Sequence, residues 1–224
     1  MFEILKHRTY RHLFLAQVIA LIGTGLITIA LSLLAYDLAK DKAAQVLGIA
    51  LAIKMIAYIM VAPVASAYAE RLPRKKVLVT LDIIRAGTAL FLPFVTEIWQ
   101  IYLLIFILQS ASAAFTPTFQ AVIPDVLPDE KEYTNALSLS RLASDLENII
   151  SPMLAGLLLT VISYHNLFLG TVLGFIGSAL FVITTQLPTA KPSKVTGVLA
   201  RIKQGATIYF HTPRLKGLLA LNLA

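Results

Sequence analysis

Residues Ser66–Leu78 read SAYAERLPRKKVL. Four basic side chains, Arg71, Arg74, Lys75 and Lys76, crowd into six positions between two long apolar runs, 46–69 and 77–96. A hydrocarbon core about 30 Å thick needs about 20 helical residues to cross it, so each run is long enough to be a membrane span. The basic segment is then a loop held at one water interface.

Working outward, four further runs of spanning length occur at 12–36, 99–123, 134–162 and 166–187. The chain is 58% hydrophobic with only 14% charged residues and a mean hydropathy of +0.79, whereas an ordinary soluble domain carries roughly 25% charge. The expected fold is an all-α polytopic membrane protein with a six-helix bundle over 1–187. A proline-broken linker follows over 188–214, in which Val198, Ile202 and Ile208 to Phe210 alternate with Arg201 and Lys203 as in a helix lying on a membrane surface. An apolar run at 215–224 reads as the truncated start of a seventh span, so a second half is expected to complete the protein.

The placement of charge gives the topology. Fourteen of the 19 Lys and Arg residues fall before span one, in 71–76, at Lys131 and in 191–216, and only Lys40 and Lys42 lie on the opposite side. By the positive-inside rule the N-terminus is cytoplasmic. The net charge of +7 is thereby a topological signal, which leaves no footprint for nucleic acid. Cysteine is absent, so thiolate and disulfide chemistry has no basis. The first span is too long for a cleaved signal. Enzymatic chemistry has no Ser/His/Asp set, phosphate loop or metal-ligand spacing to rest on, and no cofactor is implied.

Polar residues share faces within the apolar runs. At 100° per residue, Gln17, Thr24, Thr28 and Ser32 fall within about 80° on span one, and Gln109, Ser112, Thr116 and Gln120 do so on span four. Lipid disfavours both stripes. They face either an aqueous cavity or neighbouring helices through hydrogen bonds.

The stretch Ser140–Gly156, SRLASDLENIISPMLAG, puts charge inside span five. Thr134, Ser138, Arg141, Asp145 and Asn148 share one face, and Arg141 and Asp145, four apart, are spaced to pair. Glu147 lies about 160° from Asp145 and must find a partner elsewhere. Lys54 in span two sits at a similar depth, as either a neutralised structural pair with Glu147 or a second charge site. Intramembrane ionisable groups cost at least about 2.5–3.5 kcal/mol unless partnered, which marks them as functional candidates. Asp145 is the leading candidate for exchanging a proton or cation.

The spacing in 66–78 resembles the loop motif between spans two and three of major facilitator superfamily transporters. Ser66 and Pro73 stand at its glycine positions, Glu70 at its acid, Arg71 at its first arginine, and Arg74 and Lys75 at its basic pair. The resemblance implies a latch at the cytoplasmic ends of the helices, joined by Asp125 at the inner end of span four. Asp82 and Arg85, three apart near the inner end of span three, are expected to pair and support it. Pro117, Ala121, Pro124, Pro128 and Asn135-Ala136-Leu137 resemble the branch of macrolide, siderophore and metal-resistance exporters. Ser151, Pro152, Ala155 and Gly156 resemble its antiporter motif in span five. LAYDLAKD, LAIKMIAY and SRLASDLE are most similar to nickel-resistance permeases.

This resemblance implies the N-terminal half of a twelve-span, proton-coupled exporter in a bacterial inner membrane, built as a 3+3 inverted repeat that works by alternating access. Its partners would be membrane lipid, the second six-helix half, protons and a substrate. Nickel is the expected cargo, and a macrolide-, drug- or siderophore-like compound is the alternative, as is a non-transporting half. The histidines, His7, His12, His165 and His211, lie outside the middles of the spans and supply no imidazole cluster for the metal.

Overall fold

The computed structural model describes residues 2–68, 72–185 and 187. Six α-helices occupy most of them: α1 (Arg8–Ala39), α2 (Ala43–Tyr68), α3 (Arg74–Phe91), α4 (Ile98–Val126), α5 (Glu130–Leu159) and α6 (Tyr164–Thr184). Short 3₁₀ turns lead into α1, join α1 to α2 and extend α3. Glu70, Arg71, the linker over 188–214 and the apolar run at 215–224 lie outside the described residues.

Each helix begins before the apolar stretch read from sequence, and α1 and α4 also end after it; polar side chains cap the starts of α4 and α5. Asp129 caps α5 by accepting a hydrogen bond from the Glu132 N–H at 3.0 Å, and Glu97 and Gln100 form a capping box at the start of α4. Leu127, which precedes Pro128, is pushed out of helical geometry and ends α4. The α1–α2 corner turns through Lys40 at φ 46°, in the left-handed region.

Among the described residues, four helical stretches are long and apolar enough to cross a membrane: Arg8–Tyr68, which contains both α1 and α2, then Arg74–Phe94, Ile98–Val126 and Tyr164–Thr184. α5 is not among them. Its length suffices, but its charged residues interrupt the apolar run that an isolated span would need. The bundle's outer faces are apolar, with Ile59, Phe94, Met153 and Leu173 all exposed, as a lipid-facing surface requires.

α1 runs through the middle of the bundle, packing on α6 and α5 and more lightly on α2 and α4, while α2 packs on α4 and α3 on both α4 and α6. Exchanging α1–α3 with α4–α6 maps these principal pairs onto one another. Between helices in lipid the hydrophobic effect contributes little, so close approach and polar bonds hold the seams. Gly174 comes within van der Waals reach of the Gly23 backbone, and Thr171 donates its hydroxyl to the Gly23 carbonyl at 2.9 Å. At the other side of α1, a Cβ on Gly25 would stand 2.0 Å from the Ser151 Cβ. Glycine there is a condition of α1 meeting α5.

Candidate functional site

The helices line a partly open cavity of about 440 Å³. α4 supplies one wall with Gln109, Ser112, Thr116 and Gln120, the whole of its polar stripe. From α1 come Gln17 and Thr24, whereas Thr28 and Ser32 lie beyond the cavity. Lys54, Arg85 and Arg141 bring cationic side chains from α2, α3 and α5. Asp145, Glu147 and Asn148 do not line it.

Four of the five stripe hydroxyls are satisfied within their own helices. Thr24, Thr28 and Ser32 donate to Ala20, Thr24 and Thr28 carbonyls at 2.9 Å each, and Thr116 donates to Ser112 at 3.4 Å. These i to i−4 bonds occupy the donor and leave the oxygen lone pairs facing outward. These four hydroxyls therefore do not donate across to another helix.

Sequence reasoning missed the aromatic part of the lining: Tyr58, Phe115, Phe119 and Tyr133. A signal existed. Phe119 lies about 20° beyond the edge of the α4 stripe, and Tyr58 is one turn after Lys54.

Asp82 and Arg85 sit elsewhere than expected. They lie about 12 and 16 Å along α3 from its start at Arg74, two to three turns inside the bundle rather than at its end. Their ion pair is almost fully buried, with side-chain exposures of 0% and 5%. The Ser178 hydroxyl donates to the second Asp82 oxygen at 2.7 Å. The Arg85 guanidinium lies between the Phe115 and Phe175 rings, 4.1 and 4.5 Å from their centroids. Contacts from α4 and α6 thus fix this pair, and it does not join the contacts at the helix ends.

On α5 the Arg141 Nε donates to the Asp145 Oδ2 at 3.3 Å and lies 3.1 Å from Oδ1, and both side chains are exposed. Thr134, Ser138 and Asn148, on the same face, are exposed too. Glu147 points the other way, where its Oε1 would be 2.8 Å from a Cβ on Gly25. It lies near enough to Lys54 for the two charges to interact, without an ion pair between them within 4 Å. In the antiporter-like segment, Ser151 and Ala155 are buried, whereas Pro152 and Gly156 face outward.

At the end of the bundle that holds the start of α1, side chains tie α3 to α4 and to the end of α6, and separately tie α1 to α5. Arg74 pairs with Asp125 and donates to the Ala121 carbonyl at 2.6 Å, which ties α3 to α4. Lys75 donates to the Thr185 carbonyl at 2.8 Å just beyond α6. Pro73 caps α3, and Ser66 is exposed on α2. His7 meets Glu132 at 3.2 Å and Tyr10 donates to the Ala136 carbonyl at 3.3 Å, which fastens α1 to α5. The sequence motif carried no sign of these last two.

The sequence model of the Major Facilitator Superfamily matches residues 13–224. The chain belongs to the major facilitator superfamily, a family of membrane transporters. It is 29% identical over 162 residues to an uncharacterized MFS-type transporter, YfiS, of Bacillus subtilis, covering 70% of this chain and 39% of that protein. It is 26% identical over 177 residues to macrolide efflux protein A of Streptococcus pyogenes, covering 77% and 43%. With macrolide efflux protein A of Enterococcus faecalis it shares 27% over 150 residues, covering 65% and 46%. The fold also matches the crystal structure of a bacterial homologue of the human lysosomal transporter Spinster, in an inward-facing and unoccupied conformation, with a TM-score of 0.61 at 16% identity. That match covers 85% of this chain and 45% of the other. The chain thus spans less than half the length of these curated relatives.

Proposed function

We propose that this chain forms one wall of a secondary exporter that carries a macrolide-, drug- or siderophore-like organic solute out across a bacterial inner membrane by alternating access. The observation that carries this reading is the composition of the cavity: four aromatic rings, four hydrogen-bonding side chains of α4, and cationic rather than carboxylate charge. The expectation of nickel finds little support there. No His, Asp or Glu is among the described residues that line the cavity, and no group of three such residues that could hold a metal ion occurs among the described residues. The relatives named for macrolide efflux favour the same choice.

In this reading a second bundle closes the cavity from the side on which α5 leaves Arg141, Asp145 and Asn148 exposed. The pairing pattern supports two three-helix units, α1–α3 and α4–α6, related as an inverted repeat. The basic residues around Arg74 and Lys75 favour a cytoplasmic start of α1 by the positive-inside rule. Arg74 and Asp125 act as part of the inner latch. Asp145 carries the coupling proton, released from Arg141 when the helices move, and Glu147 with Lys54 forms a second charge site.

The test uses inverted membrane vesicles from cells that express the chain in its full natural reading frame. Erythromycin, rhodamine 123, carboxyfluorescein and Ni²⁺ are offered with and without a proton gradient, and again with Asp145→Asn. Gradient-driven uptake of an organic solute, lost in the variant, is the expected result. Uptake of Ni²⁺ with no organic solute would move the substrate class to metals.

A further inference from the structure

Arg85 is costly where it stands. A guanidinium inside a span is tolerated only when its charge and its donors are met. Asp82 meets the charge and one edge of the fork, and the Phe115 and Phe175 rings lie close against the guanidinium. Yet its Nε–H is buried without a partner, although the residue is 4% exposed and lines the cavity. A buried donor left unmet costs roughly 1–3 kcal/mol, so a native structure that keeps one calls for a reason.

The charges of the other lining residues point to the same reason. Among the described residues the cavity is lined by Lys54, Arg85 and Arg141, whereas the acids that pair with two of them, Asp82 and Asp145, stand behind or beside the wall. Each ion pair thus turns its positive member toward the space where a solute would sit. Aromatic faces strip water from Arg85 and lower the local dielectric, which strengthens its attraction for an anionic oxygen. A guanidinium fork matches a carboxylate in shape as well as charge.

We propose that Arg85 is the substrate-recognising group of this cavity and that the transported solute is an amphipathic organic anion, its carboxylate or similar oxyanion on Arg85 and its apolar part against Phe115, Phe119 and Tyr58. Lys54 and Arg141 raise the local concentration of such a solute without needing direct contact. The proposal rests on the exporter reading and narrows it by charge.

The test compares two dyes built on one xanthene scaffold, the anion carboxyfluorescein and the cation rhodamine 123, as initial uptake rates in the inverted vesicles. The natural protein should take up carboxyfluorescein at least tenfold faster. Arg85→Gln alone leaves Asp82 unpaired and risks misfolding, so the decisive variant is Asp82→Asn with Arg85→Gln, which removes both charges. It should reach the membrane in normal amount and lose at least tenfold in carboxyfluorescein uptake, whereas Arg85→Lys should retain an intermediate rate. Should the double variant keep the natural rate and preference, Arg85 is only a structural partner of Asp82 and the proposal is overturned. Uptake of rhodamine 123 or erythromycin without carboxyfluorescein overturns it while leaving the exporter reading intact. Movement of Ni²⁺ alone, or of nothing, removes both.

Discussion

Two arginine–aspartate pairs sit inside this bundle with nearly the same spacing in sequence, and they live in opposite surroundings. Asp82 and Arg85 on α3 are enclosed, with side-chain exposures of 0% and 5%, while Arg141 and Asp145 on α5 stand open at 80% and 54%. Helix geometry alone makes both pairs. What differs is what the rest of the fold brings to them. α4 and α6 supply two rings and a hydroxyl to the first, and none of the five other helices covers the second. The enclosed pair is therefore held by contacts from other helices, and the open one is left accessible.

Breaking the enclosed pair should produce the largest effect. Asp82→Asn leaves Arg85 uncompensated between two rings, at a cost of about 3–5 kcal/mol of stability. Thermal unfolding of the purified protein in detergent would show it, and neutralising Arg85 as well should restore most of the loss. If Asp145→Asn were equally destabilising, the contrast between the two pairs would collapse.

Removing a supporting contact should come next. Ser178→Ala deletes the 2.7 Å hydrogen bond to the Asp82 carboxylate, and bonds to charged groups contribute about 1.5–3 kcal/mol. The same unfolding assay sharpens the comparison, because no corresponding side chain braces Asp145 from another helix.

A third change probes how α5 is seated. Gly25→Ala drives a methyl to within 2.0 Å of the Ser151 Cβ, which should cost about 1–3 kcal/mol by overpacking. Combining it with Ser151→Gly should recover part of that. Gly156→Ala, where a Cβ would meet nothing within 4 Å, is the matched control and should be neutral or slightly stabilising.

The smallest effect on stability belongs to the open pair. Arg141→Gln should change unfolding by less than about 1 kcal/mol, as for other exposed ion pairs. Its transport rate should nonetheless fall several-fold in the vesicle assay, since Arg141 lines the cavity. A variant with full activity would remove α5 from the site.

How much of this was legible in sequence follows from which interactions are local. All six helices could be read from apolar length, and the loop after α2 pointed to the family through its charge spacing. Arg141 with Asp145 was readable because four residues is one turn. The α4 stripe was readable for the same reason, all four of its residues reaching the cavity. Arg85 was misjudged because its depth depends on where α3 begins, and its surroundings come from Phe115, Phe175 and Ser178, up to 96 positions away. The aromatic lining was overlooked because an aromatic ring in an apolar helix does not announce whether it faces lipid, core or cavity. α5 read as a span, although it is not among the four described stretches that are long and apolar enough to cross a membrane; in the bundle it packs against α1.

One claim stands above the rest: the polar faces of α1, α4 and α5 line a watery path for solute, while the opposite face of α4 meets lipid. The chain contains no cysteine, so a single introduced thiol reports cleanly once any outside this chain are replaced. Thr116 and Ile107 lie on α4 about 180° apart, the first lining the cavity and the second exposed on the apolar side. Reaction of Thr116→Cys and Ile107→Cys with a charged, membrane-impermeant methanethiosulfonate should be fast for the first and negligible for the second, and carboxyfluorescein should slow the first. Equal rates at the two positions, or no protection by any transported solute, would contradict the claim.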